Sequence, residues 1–148
     1  RSSCSTLRHH GTYNTVAVDV GRPSQRLDLV ADTGSSSTIV SSCKCKVLGH
    51  CRDDDKCYVD SKSSSFVAPR WENGLVEPTV TLSFGSGTID VLVASDMLRV
   101  GGLEAKMNGS LLLMVDQALN FQSHFEGILG LGPPLPTLNY SSSSSSSS

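Results

Sequence analysis

From Tyr13 to Val40 the chain alternates, turns, alternates again and then breaks at a single carboxylate. Val16, Val18 and Val20 fall on one face of an extended segment, Gly21-Arg22-Pro23-Ser24 turns it back, and Leu27 and Leu29 carry the alternation on. Leu29-Val30-Ala31 then leads into Asp32-Thr33-Gly34-Ser35-Ser36, and Thr38-Ile39-Val40 resumes as a strand. A strand that ends on a carboxylate and turns at once places one acid at the tip of a buried loop. Gly34 permits the tight backbone, while the hydroxyls of Thr33 and Ser35 and nearby N–H groups are suited to hold the Asp32 carboxylate in one orientation. This pattern predicts a hairpin that delivers an acid.

With 148 residues, 38% hydrophobic, the chain is long enough for one core. Aromatic residues are scarce, and Val, Leu, Ser, Thr and Gly are plentiful, so an all-β class is expected. A net charge of -2 gives no basic footprint and argues against a nucleic-acid partner. The longest apolar run, Leu111 to Val115, is far short of the roughly 20 residues that cross a bilayer as a helix, so no membrane anchor is expected in this chain. Because the first residue is Arg1, either a presequence has been removed or the sequence is a fragment. Of five cysteines, Cys43, Cys45, Cys51 and Cys57 crowd into one loop and Cys4 stands apart, a distribution that fits disulfides formed in an oxidising compartment. Asn108-Gly109-Ser110 and Asn139-Tyr140-Ser141 are N-glycosylation sequons and agree with secretory-pathway exposure.

Residues 1–12 read as an extended lead-in, in which His9 and His10 point to opposite faces and are poorly placed to chelate. The four clustered cysteines allow three pairings, with Cys43–Cys45 the strained one, and the connectivity stays open. A zinc site built from these cysteines and His50 lacks paired C-x2-C knuckles, and Asp53-Asp54-Asp55 lacks the alternating ligands and closing Glu of a calcium loop. The acidic run is read as a solvated turn, and neither a metal nor a cofactor is expected. Residues 60–78 read as loop, anchored by Phe66 and Trp71. Val80, Leu82 and Phe84 alternate, Gly85-Ser86-Gly87 turns, and Ile89, Val91 and Val93 alternate back, which predicts a strong hairpin. Leu98 to Leu103 reads as strand and turn, Leu111 to Val115 as a buried strand, and Asp116 to Phe125 as a short helix or irregular loop. Gly127-Ile128-Leu129-Gly130 is a Gly-punctuated core strand, and Pro133-Pro134-Leu135-Pro136 ends the pattern. Ser141 to Ser148 cannot bury a core. The expected division is a lobe at 1–136 and a Ser-rich tail or linker at 137–148.

In order and spacing, Tyr13-Asn14-Thr15-Val16, Val20 to Gln25 and Asp32 to Ser36 resemble the N-terminal lobe of the pepsin-like aspartic proteases. The resemblance extends to the hairpin Phe84-Gly85-Ser86-Gly87, which is similar to the family's flap over bound substrate, and to Gly127-Ile128-Leu129-Gly130, which is similar to the strand lying across the one that carries the acid. A cysteine-rich insertion after the catalytic loop resembles nepenthesin-like and some protist membrane-anchored members. The family usually has Tyr before the flap glycine and Trp shortly after the Asp-Thr-Gly loop; this chain has Phe84 and Ile39, which implies a flap held by packing alone.

The resemblance implies an all-β, barrel-like lobe with a flap, and hydrolysis of peptide bonds by water held between two carboxylates, of which Asp32 is one. No other Asp in the chain is followed by Thr-Gly or Ser-Gly. The second acid is expected on a C-terminal lobe outside this sequence; the alternative is a second copy of the chain, as in retropepsin-like dimers. A non-catalytic pepsin-like binding or inhibitor protein is the other reading, against which the intact Asp32-Thr33-Gly34 argues. The fragment alone is expected to be inactive, and the parent protein to work in an extracellular, vacuolar or lysosome-like acidic setting.

Overall fold

The computed structural model describes residues 3–68, 79–84, 86–119 and 125–134. Among the described residues eight strands carry the fold: β1 (Leu7–His9), β2 (Asn14–Val20), β3 (Gln25–Asp32), β4 (Thr38–Ser41), β5 (Val80–Phe84), β6 (Gly87–Val100), β7 (Leu103–Leu119) and β8 (Gly127–Gly130). The only helical pieces among the described residues are one turn at α1 (Lys44–Val47) and a 3-10 turn at Asp60–Lys62. The all-β expectation therefore holds.

Hydrogen bonding orders the strands β1-β2-β3-β8-β4-β7-β6-β5, and an additional pairing of β2 with β6 closes the six central strands on themselves. That closure makes the lobe barrel-like and leaves the β5–β6 hairpin projecting from it. Val16, Val18, Val20, Leu27 and Leu29 all lie in the main core with Val40, Leu111 and Leu113, as their period-2 alternation requires. β4 is buried on both faces. Val40 joins the main core, while its neighbour Ile39 turns to a second cluster with Ile89, Val91 and Met114, so one short strand separates two apolar layers.

Three expectations change here. β7 runs unbroken to Leu119, so Asp116 to Leu119 is strand, held by Asp90↔Asp116 and Gly87↔Leu119 pairing to β6; residues 120–124 lie outside the described part. The acidic run is not wholly solvated, since Asp55 is 8% exposed and accepts the Phe125 N–H, while Asp54 pairs with Arg52 at the surface. The Asp32 loop is not buried: Asp32 and Ser35 are half-buried, and Thr33, Gly34 and Ser36 are exposed. Sequence periodicity sees the apolar strand before the acid but not which side of the turn this lobe leaves open.

Cys43 pairs with Cys57 and Cys45 with Cys51, with Cα separations of 5.0 and 5.3 Å, so the two disulfides are nested and occupy all four sulfurs of the loop. The chain re-enters the barrel after this loop at Tyr58, which is fully buried. Phe66 packs on the main core, with its ring centroid 6.3 Å from that of Tyr58. Trp71 and Asn139 lie outside the described residues, as does the serine tail.

Candidate active site

β3 ends at Asp32, and the turn after it is built from short backbone contacts. The Gly34 N–H donates to Asp32 Oδ1 at 2.8 Å, and the Ser37 N–H donates to Ser35 Oγ at 3.1 Å. The carboxylate is thus oriented by a backbone N–H, and the Ser35 hydroxyl braces the loop rather than the acid. Among the described residues Oδ2 has no hydrogen-bond partner. One oxygen of this half-buried acid is fixed, within a turn whose Thr33, Gly34 and Ser36 are exposed.

β8 supports this turn from behind. It runs parallel to β3, with Val30↔Ile128, Ala31↔Leu129 and Asp32↔Gly130 in register, and antiparallel to β4 on its other side. The Leu131 N–H donates to the Asp32 carbonyl (2.7 Å), Gly130 N–H to the Ser37 carbonyl (2.9 Å) and Gly132 N–H to the Ser35 carbonyl (2.8 Å). A Cβ at Gly130 would lie 2.6 Å from the Ser35 carbonyl oxygen and from the Ser37 nitrogen, closer than side-chain atoms approach backbone. The glycines of the Gly127–Gly130 strand are therefore the condition for β8 to lie directly against the acid loop, as its Gly punctuation predicts.

The anchor of β8 is Glu126, which sequence reading passed over. Its side chain accepts the Asp28 N–H, and its carbonyl accepts the Ser41 N–H at 2.9 Å, tying β3 to β4 just before the signature strand. Burial pushes the Glu126 carboxyl up; the Asp28 N–H and Lys56 oppose that rise, and the Asp28 and Asp55 carboxylates add to it.

Phe84 and Ile39 meet in the second apolar cluster. Ile39 is fully buried, and Phe84, Leu82 and Ile128 are half-buried against the same group. Ile39 thus sits beneath the base of the hairpin, and Phe84, the last residue of β5, pairs with Gly87 across the turn. Ser86 is half-buried and Gly85 lies outside the described residues. Beside the hairpin, His50, Thr88, Asp90, Asp116, Gln117 and Ala118 line a cavity of about 290 Å3, where His50 Nδ1 is 2.5 Å from Asp116 Oδ1. Asp32 does not line it.

The most deeply buried carboxylate among the described residues, Asp96, was also missed from sequence. Asp96 is 2% exposed and takes hydrogen bonds from the Tyr58 hydroxyl, Ser63 Oγ (2.8 Å), Ser65 Oγ (2.6 Å) and its neighbour's N–H at Met97 (2.7 Å). Burial alone would raise its pKa, but the bonds from Ser65, Tyr58, Ser63 and Met97 outweigh burial and hold it below the usual carboxylate range. The signal that could have found it is a charge among the inward-facing positions Ala94, Asp96 and Leu98 of an otherwise apolar stripe. Tyr58 responds in the opposite sense, its hydroxyl pushed up by burial and by the Asp96 bond and charge. His9 and His10 bond Asn14 Oδ1 and Thr15 Oγ1, and among the described residues no group of three or more His, Cys, Asp or Glu side chains is arranged to hold a metal ion.

The family description "Eukaryotic aspartyl protease" matches residues 12–147. The chain is 31% identical over 117 residues to renin of Canis lupus familiaris, 33% over 116 to cathepsin D of Dictyostelium discoideum and 33% over 125 to human (Homo sapiens) napsin-A. These alignments cover 78–80% of this chain but 27–28% of each relative, so the chain spans about a quarter of the length of the proteins it matches. The chain belongs to the eukaryotic aspartyl protease family.

Proposed function

We propose that this chain is one lobe of an acid endopeptidase and supplies one of its two catalytic carboxylates, Asp32. The observation that carries this reading is the presentation of Asp32: one oxygen fixed by the Gly34 N–H, the other open, on an exposed loop braced by β8. A half-buried acid held in one orientation on an exposed turn is suited to a partner acid approaching from outside the lobe. Aspartic proteases are the type example of two carboxylates that share one proton, because like charges in contact cannot both ionise. One member would then take a proton from water as it attacks the peptide carbonyl, and the other would protonate the leaving nitrogen. Gly34 positions the acid through its N–H, and Thr33 and Ser35 support the loop that carries it.

The second carboxylate is assigned to a C-terminal lobe outside these 148 residues, residues 1–136 forming this lobe and 137–148 a tail or linker toward it. Phe84, Gly85, Ser86 and Gly87 form the flap, and Ile39 packs its base. With an apolar residue at 84, the substrate is expected to be a peptide or protein cut between apolar residues. The nested disulfides support assembly in the secretory pathway, and a carboxylate pair that shares a proton supports work in an acidic compartment.

The test is peptide cleavage at acidic pH by the protein extended beyond Ser148, with a statine-type transition-state mimic as inhibitor, beside this chain alone. Inhibited cleavage by the extended protein and none by the monomeric chain is expected. Activity of the chain alone that rises with the square of its concentration would assign the second acid to another copy instead.

A further inference from the structure

The β6–β7 ladder has a defect that the proposed catalytic role does not use. Ala94 pairs with Leu111 and Asp96 with Met107, so the single residue Ser95 faces three residues of β7: Asn108, Gly109 and Ser110. The cause lies on β6. Both the N–H and the carbonyl of Ser95 are taken by Val67, at 2.9 and 2.8 Å, which turns the Ser95 backbone away from β7. Its hydroxyl makes the remaining link, accepting the Gly109 N–H at 2.7 Å. Deprived of a backbone partner, β7 bulges outward at Asn108–Ser110. Gly109 takes a left-handed φ of 62°, and a Cβ there would meet nothing within 4 Å.

That bulge is an Asn-Gly-Ser sequon with all three residues exposed, and among the described residues the Asn108 amide has no hydrogen-bond partner. The outer side of Leu103–Ser110 is also unpaired among the described residues, since β4 joins β7 only at Leu111–Met114. An open strand edge is a site of unwanted pairing between chains, and proteins blunt it with bulges, charges or a cover. We propose that Asn108 carries an N-linked glycan and that this glycan covers the open edge of β7. The chemistry is a group transfer from a lipid-pyrophosphate-linked oligosaccharide: a bond forms between Asn108 Nδ2 and sugar C1, the C1–O bond to the pyrophosphate breaks, the lipid pyrophosphate leaves and Nδ2 gives up one proton. The outward bulge leaves room for the sugar, whereas a sequon paired within the ladder would not. The proposal rests on passage through the secretory pathway and not on catalysis, so its failure leaves the protease reading untouched.

The test is secretion of the full chain from a eukaryotic host, with a reference sequon appended at one end to report contact with the transferase. Peptide mass spectrometry is expected to find the glycan on Asn108, removable by an N-glycan amidase, lost in N108Q and S110A, kept in S110T, and unaffected by N139Q. A bare Asn108 peptide beside an occupied reference sequon would overturn the assignment. For the edge role, N108Q is expected to self-associate more than the glycosylated chain in sedimentation; equal behaviour of the two would overturn that part.

Discussion

Replacing Asp96 by Asn tests how much of this lobe hangs on one buried carboxylate. In the native chain Oδ2 receives the Tyr58 and Ser63 hydroxyls and Oδ1 receives Ser65 Oγ and the Met97 N–H. An amide keeps the shape but turns one oxygen into a donor. The fixed Met97 N–H keeps the remaining oxygen on its side, so the new NH2 group faces Tyr58 and Ser63. Two hydrogen bonds to a charge, each worth about 1.5–3 kcal/mol, are lost, and rotation of the hydroxyls recovers part of that, leaving a cost of roughly 2–4 kcal/mol. The sign of the pH dependence follows from the depressed carboxyl. Its contribution is fully present above the unfolded value of about 3.9 and is lost as pH falls through the lower folded value. Urea unfolding of wild type and D96N is therefore expected to show a wide gap near neutral pH that closes in strong acid. In a double-mutant cycle, Y58F is expected to cost about 1 kcal/mol less in the D96N background. A D96N cost below about 0.5 kcal/mol, or a gap unchanged in strong acid, would refute the reasoning.

Three further predictions follow from the site. G130A places a methyl against the Ser35 and Ser37 backbone, so it is expected to destabilise by about 1–3 kcal/mol and to weaken catalysis by displacing Asp32, read by thermal unfolding and kcat of the extended protein. E126Q removes a carboxyl whose pKa is raised on folding; that group's contribution is present below about 4.3, its unfolded value, and is lost as pH rises through the folded value, so the variant is expected to hold more of its acid-range stability at neutral pH. F84Y adds a hydroxyl with no Trp partner, because position 39 is a fully buried Ile, and is expected to change kcat/KM by less than about tenfold, whereas a larger gain from the single change would contradict packing as the only hold on the flap.

The parts of the fold that were legible in sequence are those where one face is buried and the other wet. β2, β3 and the β5–β6 hairpin announce themselves by alternation, and the Gly101-Gly102 turn by its dipeptide. β6 and β7 were underestimated because Asp96, Asn108 and Asp116 interrupt their apolar pattern. Each interruption has its own physical answer: the hydroxyl cluster for Asp96, the bulge for Asn108 and His50 for Asp116. The hydroxyls that meet Asp96 and the His50 that meets Asp116 lie more than thirty positions away, so periodicity could not supply them. The same holds for the disulfides, whose nested pairing depends on where α1 carries Cys45, and for Glu126, whose importance rests on an N–H of β3 almost a hundred positions earlier. The acid loop itself was legible because it is local: strand, acid, glycine, strand.

The account stands on Asp32, and the most direct measurement is the acid-pH peptidase activity of the extended protein carrying D32A, with folding checked by the unchanged urea midpoint. Loss of one member of a general acid–base pair is expected to lower kcat/KM by about 10²–10⁴-fold or to background. Full activity retained in folded D32A would contradict the assignment of this lobe's chemistry to that carboxylate.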